Sequence, residues 1–201
     1  MPLKVSLPNG APIFEVSETT GKVALNGVAY LYPASQGSAN QYLSNNGNGT
    51  LNWVNPSASL ARVTANVTNL TTTFSNLTDL SLPVISGSYF TAIYKYKCNN
   101  SVAAEGIKFD FNGGNATMTS FWAVGSQQAG GTTVAGTLVS TALNGVINWS
   151  TITGETLIEI TVSGVINAGG TLIPRFAESS TSSGTATLEL GSFVWGQTTP
   201  N

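Results

Sequence analysis

A chain of 201 residues in which only 8% are charged, against about 25% in a typical soluble domain, has a neutral polar exterior. Seven Lys and Arg against nine Asp and Glu give a formal charge of −2, so no basic field exists to neutralise phosphates and nucleic acid is not an expected partner. Histidine is absent, which removes the commonest general base and metal ligand together, and the single cysteine, Cys98, can form neither an intrachain disulfide nor a zinc knuckle. Cys98 therefore reads as a small buried strand residue, and no catalytic residue, cofactor or metal is expected.

The first residues, Met1-Pro-Leu-Lys-Val-Ser-Leu-Pro, carry prolines at 2, 8 and 12 and no apolar run, so they do not read as a secretory signal and synthesis in the cytosol is expected. No stretch approaches about 18 uninterrupted apolar residues, and no membrane insertion is expected. Asn-x-Ser/Thr sequons at Asn48, Asn66, Asn69, Asn76, Asn99, Asn115 and Asn148 then reflect an Asn/Ser/Thr-rich composition rather than glycosylation. With 41% hydrophobic residues the chain has enough apolar surface to fold.

Residues 1–29 alternate weakly and carry turn signals at Pro8-Asn9-Gly10 and Asn26-Gly27, the second flanked by Val23, Leu25 and Val28 as in a two-residue hairpin. They read as a strand-and-turn arm. Ala-Leu-Asn-Gly-Val at 24–28 recurs at 142–146, which points to a reused Asn-Gly hairpin and not to a repeated domain.

Residues 30–55 punctuate short apolar pairs with Gly and Asn. Tyr42, Leu43, Leu51, Trp53 and Val54 are too apolar to be left in water, and copies of the chain could bury them against one another as a collar. The text carried by Pro33, Gln36, Gly37, Asn40, Gln41, Leu43, Gly47, Gly49, Leu51 and Trp53 resembles a segment of trimeric fibre and decoration proteins of tailed bacteriophages. The resemblance implies a homotrimeric virion surface protein without saying which part of the virion.

Asn55-Pro56-Ser57 reads as a helix start. Leu60, Val63, Val67, Leu70, Phe74 and Leu77 then follow at alternating spacings of three and four, an a/d pattern that predicts a short coiled-coil stalk over 56–81. Its outer positions are Thr, Asn and Ser, poor helix formers, so the helix would exist only by burying its seam against partner helices; the alternative is that the Thr-rich run is extended β-structure or one amphipathic helix on the domain. Neutral flanks favour identical chains in register, a homotrimer.

From Leu82-Pro83 to Asn201 the text is that of strands. Phe90, Ala92, Tyr94, Tyr96 and Cys98 alternate with Thr91, Ile93, Lys95 and Lys97; Ile107, Phe109 and Phe111 alternate with Lys108 and Asp110. Further strands are expected at 118–124, 132–141, 146–150, 156–166, 171–177 and 185–195, in all a sandwich or barrel. Gly106-Ile-x-Phe-x-Phe111, Gly164 to Leu172 and Gly184-Thr185-Ala186 with Gly191-Ser192 resemble the jelly-roll heads of such phage proteins. That resemblance implies a head like tumour necrosis factor, assembling as a trimer. The expected fold is mainly β: an N-terminal arm (1–29), a collar (30–55), a trimeric coiled coil (56–81) and an antiparallel jelly-roll sandwich (82–201).

Candidate sites are few. Glu155 and Glu159 share strand parity, but four residues of extended chain put them about 13 Å apart, too far for a glycosidase pair. Asp110, Asn112 and Asn115 could offer oxygens to calcium, yet Gly113-Gly114 between them already explains a turn. Tyr94-Lys95-Tyr96-Lys97 interleaves aromatics with cations, but parity sends the two types to opposite faces. Gly47-x-Gly49 precedes a strand and is no phosphate cradle. The expected function is non-enzymatic: a decoration or short head-fibre protein whose residues 1–29 bind a capsid or other virion protein. The rival is a tail-fibre tip whose head recognises a host glycan.

Overall fold

The computed structural model describes residues 3–8, 12–16, 22–25, 28–38, 41–54, 58–102, 105–129, 132–152, 154–180 and 184–200. The chain divides into two compact units, Met1–Pro56 and Ser57–Asn201.

In the first unit β1 (Leu3–Ser6), β2 (Pro12–Val16), β3 (Lys22–Leu25) and β4 (Val28–Leu31) form an antiparallel meander. Leu25 pairs directly with Val28, the spacing of a two-residue hairpin. Its loop residues Asn26 and Gly27 lie outside the described residues, as do Asn9 and Gly10. A second hairpin joins β5 (Tyr42–Asn45) to β6 (Leu51–Val54), with Leu43 opposite Trp53. The Gly/Asn text between them is a loop built on its own side chains: Asn45 Oδ1 accepts from Gly47 N–H at 3.0 Å, and Asn46 Oδ1 accepts from Asn48 N–H at 3.1 Å. Gly47 and Gly49 take φ of 89° and 85°, the left-handed region that favours glycine. Leu31 N–H donates to Gly49 O at 2.8 Å, tying the hairpin to β4.

The second unit is a sandwich. Its strands are β7 (Ala58–Arg62), β8 (Val67–Asn69), β9 (Ser75–Asn76), β10 (Leu82–Val84), β11 (Ser88–Asn100), β12 (Ile107–Asp110), β13 (Thr117–Ala129), β14 (Thr132–Ser140), β15 (Ile147–Trp149), β16 (Thr156–Ala168), β17 (Gly170–Leu172), β18 (Arg175–Glu178), β19 (Ala186–Leu188) and β20 (Phe193–Pro200). The large sheet runs β14-β13-β16-β11; beyond β11 it continues as β20-β7 along one half of that strand and as β19-β8 along the other. A second sheet, β15-β12-β18-β9, covers it, and β10 pairs with β17. Every pairing is antiparallel within this unit, an arrangement consistent with a jelly roll.

The expected coiled coil is absent. Residues 58–80 form β7, β8, β9 and one 3-10 turn (Thr78–Leu80), and no α-helix occurs among the described residues; the proposed helix start at 55–57 lies outside them. The a/d spacing had a different origin. Val63 and Leu77 are buried in the sandwich core, and Val67 packs against it from β8. Leu60 and Leu70 face outward, 71% and 64% exposed, while Phe74 lies under the cationic groups of Lys108 and Arg175. Thr-, Val- and Asn-rich text of low helix propensity gains more as edge strands, where its backbone completes ladders already started by β18, β19 and β20.

The core follows the alternation along β11. Phe90, Ala92, Tyr94, Tyr96 and Cys98 are buried, with Ile158, Ile160 and Val162 of β16 beside them. Across the sandwich Tyr96 stacks on Phe109 at 4.4 Å between centroids, Tyr94 meets Phe111 at 5.1 Å, and Phe111 meets Phe121 at 5.8 Å. Each such pair adds about 0.5–1.5 kcal/mol to the burial of its rings. The hydroxyls of Tyr94 and Tyr96 are buried without a hydrogen-bond partner.

Candidate self-association surface

The register of the large sheet brings apolar side chains from distant parts of the chain into one row on its outer face. Leu60 of β7 pairs with Trp195 of β20, Trp195 with Ile93 of β11, Ile93 with Thr161 of β16, Thr161 with Val124 of β13, and Val124 with Val139 of β14. Directly opposed residues share a face, so the row crosses six strands. Leu60 is 71% exposed, Val139 53% and Trp195 40%. Next to it stand Trp122 and Tyr89, also more than half exposed. They flank a groove of about 300 Å³ floored by Thr91, Ser120, Ser163 and Val165.

Charge is confined to one end of this face. Lys95 Nζ lies 3.1 Å from Glu159, and Lys97 Nζ lies 2.8 Å from Glu155 and 3.0 Å from Glu189. Both carboxylates hold the Lys97 ammonium above its ordinary titration range, Glu155 contributing most. These exposed pairs contribute little stability, but two lysines against three glutamates leave the end of the face with only a single net negative charge. An apolar, aromatic centre with charge at its margin has the composition of a protein–protein interface, and a patch that spans a whole sheet exceeds the scattered apolar residues normal for a surface.

The residues singled out in sequence fall in several places. Of the expected collar, Tyr42 and Leu43 are exposed in β5, whereas Leu51 and Trp53 are half-buried in β6. Trp53 Nε1 donates to Ser35 O at 2.8 Å, and Gly37 lies against its indole so closely that a β-carbon would stand 2.5 Å from the ring. Glu155 and Glu159 serve the lysine pairs, each on the outer face. Asp110 is held in a two-pronged pair by Arg175, with Nε at 2.7 Å from Oδ1 and Nη2 on Oδ2, and the same Oδ1 accepts from Asn112 N–H at 3.3 Å. Asn115 Oδ1 accepts from Thr171 N–H at 2.8 Å, so this segment is a braced turn. Cys98 is fully buried, and burial pushes its thiol up. Among the described residues no three His, Cys, Asp or Glu side chains converge, and no helix is long and apolar enough to cross a membrane.

Sequence reasoning missed the row from Leu60 to Val139. Parity along β11 and β13 marks Ile93 and Val124 as outward, but only the pairing shows that Trp195 and Leu60 stand beside them.

No family model and no curated protein matches this chain. Among solved structures it is similar to that of infectious bursal disease virus Gt strain, at 10% identity over 75% of this chain and 40% of that one, with a TM-score of 0.17. The Gx strain structure gives 8% identity, 74% and 41% coverage and a TM-score of 0.18. The VP2 subviral particle of that virus gives 12% identity, 98% and 57% coverage and a TM-score of 0.20. The chain thus spans 40 to 57% of the length of those chains, and at these scores the likeness assigns neither a family nor a function.

Proposed function

We propose that this chain is a non-enzymatic homotrimeric surface protein of a tailed-phage virion, a decoration protein or short head fibre, whose sandwich heads associate through the outer face of the large sheet. The observation that carries the reading is the row Leu60, Trp195, Ile93, Val124 and Val139, of which a lone copy leaves Leu60, Trp195 and Val139 exposed. Burial of apolar area contributes about 25 cal/mol per Å², so covering such a row favours association against the entropy cost of bringing copies together. Two lysines against three glutamates leave only a single net negative charge along these pairs, so identical copies meet without strong repulsion. The number three rests on the resemblance of residues 33–53 to trimeric phage proteins, now that no helical seam supports it. Residues 1–29 are given the anchoring role because their meander belongs to a unit separate from the sandwich. A variant lacking residues 1–29, mixed with undecorated particles, is expected to stay in solution while the intact chain binds; equal binding by both removes the anchor.

A second reading is a fibre tip that grips a host glycan. It is favoured by the groove between Trp122 and Tyr89, where two exposed aromatic rings flank the hydroxyl-bearing Thr91, Ser120 and Ser163. Aromatic faces and neutral hydroxyls suit a sugar. Binding of host-cell glycans that is lost in Trp122→Ala supports this reading over the first.

A further inference from the structure

Asparagine followed by glycine is a chemically weak junction, because glycine has no side chain to shield its backbone nitrogen from the asparagine carboxamide. Four such pairs fall within the described residues: Asn46-Gly47, Asn48-Gly49, Asn112-Gly113 and Asn144-Gly145. The fold treats them differently. Gly113 N–H donates to Ile173 O at 3.0 Å and Gly145 N–H to Ala142 O at 2.9 Å, so both nitrogens are tied into the backbone of the sandwich. Gly47 N–H donates to Asn45 Oδ1 at 3.0 Å. Of the four, Gly49 N–H alone donates no hydrogen bond among the described residues.

Asn48 itself is exposed, in the loop between β5 and β6. Its Oδ1 accepts from Thr50 N–H at 3.3 Å, a contact that polarises the carboxamide carbonyl and would stabilise an oxyanion formed there. Asn46 Oδ1 is held in a similar way, by Asn48 N–H at 3.1 Å and Thr50 N–H at 3.2 Å, but the nitrogen that would attack its carbonyl is occupied. Only Asn48-Gly49 combines a polarised carbonyl with a free backbone nitrogen. We propose that Asn48 is a site of spontaneous covalent modification, at which the chain cyclises on itself and loses ammonia. Hydroxide takes the proton from the Gly49 nitrogen, which bonds to Asn48 Cγ; the Cγ–Nδ2 bond then breaks, and Nδ2 takes up a proton and leaves as ammonia. Water opens the succinimide at either carbonyl and leaves aspartate or isoaspartate. Each product adds a negative charge to a chain of formal charge −2. Isoaspartate also inserts a carbon into the backbone next to Gly49, whose carbonyl accepts from Leu31 N–H at 2.8 Å. The change is one-way, so it records the age of the molecule in the loop that ties this hairpin to β4.

The test incubates the intact chain at mildly alkaline pH and follows each pair by peptide mass mapping, with isoaspartate read by enzymatic methylation. Asn48 is expected to convert first. Asn46 should convert about fivefold more slowly, the factor that one hydrogen bond on its attacking nitrogen represents. Asn112 and Asn144 should be slower still, because their turns must first open locally. Asn45→Ala frees Gly47 N–H and should raise the Asn46 rate about fivefold while Asn48 stays as fast as before. An Asn48 that keeps its amide, an Asn46, Asn112 or Asn144 that converts as fast as Asn48 in the parent, or an Asn46 rate unchanged in Asn45→Ala each overturns the proposal.

Discussion

Trp195 stands directly opposite Leu60 across the β20–β7 pair, and both side chains point to solvent on a sheet whose other face is the core. A charge at either position therefore enters water in the single chain and would enter an apolar contact in the proposed assembly. Trp195→Asp is expected to leave the unfolding midpoint of the separated chain within a few degrees of the parent while dispersing the oligomer, because an isolated carboxylate is costly to bury. Sedimentation velocity on the variant and the parent reads this directly; an oligomer that survives Trp195→Asp places the contact elsewhere.

Tyr94 and Tyr96 stack side by side at 5.8 Å with both hydroxyls buried and unpartnered. Burial pushes both phenols upward, so neither ionises in the folded chain at neutral pH. Removing an unsatisfied hydroxyl relieves a desolvation cost, and Tyr96→Phe is expected to be neutral or to stabilise by about 1 kcal/mol. Phe109→Ala, which takes away the ring stacked on Tyr96, should instead cost about 3–5 kcal/mol. Urea unfolding of the two variants separates them, and a loss in Tyr96→Phe above that of a surface substitution would show that the hydroxyl has a partner.

Arg175 binds the buried Asp110 carboxylate through two nitrogens while its guanidinium lies 5.2 Å from the centre of the Phe74 ring. Its hydrogen bonds to Asp110 hold the guanidinium above its already high ordinary value, so the pair stays charged on the arginine side at any working pH. Arg175→Met strands the carboxylate and should cost about 3 kcal/mol, the lower end for a broken buried pair since the arginine is partly wet. Arg175→Lys keeps the charge and loses the fork, so its loss should fall between the parent and Arg175→Met. Equal stability of all three in denaturant would contradict this role.

Glu178 links folding to pH. Its carboxyl titrates above the unfolded value of about 4.3, so the folded chain holds that proton more tightly than the unfolded chain does. The resulting stabilisation is fully present below the unfolded value and is lost as pH rises through the folded one. Glu178→Gln should therefore gain on the parent as pH rises above about 4, since it carries no charge to bury. Unfolding midpoints measured over that range check the sign; a parent that gains on the variant with rising pH would reverse it.

Much of the sandwich was legible because its strands carry their own parity. Phe90 to Cys98 and Ile107 to Phe111 read as alternating strands, and their inward sets are the buried ones. Residues 60–77 misled because seven-residue spacing is compatible with several short edge strands that each bury one residue. Val63 and Leu77 reach the same core from different segments, and nothing local distinguishes that from a helical stripe. The outer-face row was hidden for a related reason. Leu60 and Trp195 are neighbours only through a pairing of β7 with β20, the first and last strands of the sandwich, and such register is set by the whole sheet. Asn100 and Glu178 meet in the same long-range way, through a hydrogen bond between residues 78 apart in the chain.

Light scattering on the intact chain, at concentrations spanning the micromolar range, tests self-association most directly. A particle of three times 20.7 kDa that holds its mass on dilution is the expected result. A stable 20.7 kDa particle would mean that the Leu60–Val139 face stays wet, and the trimer would fall with it.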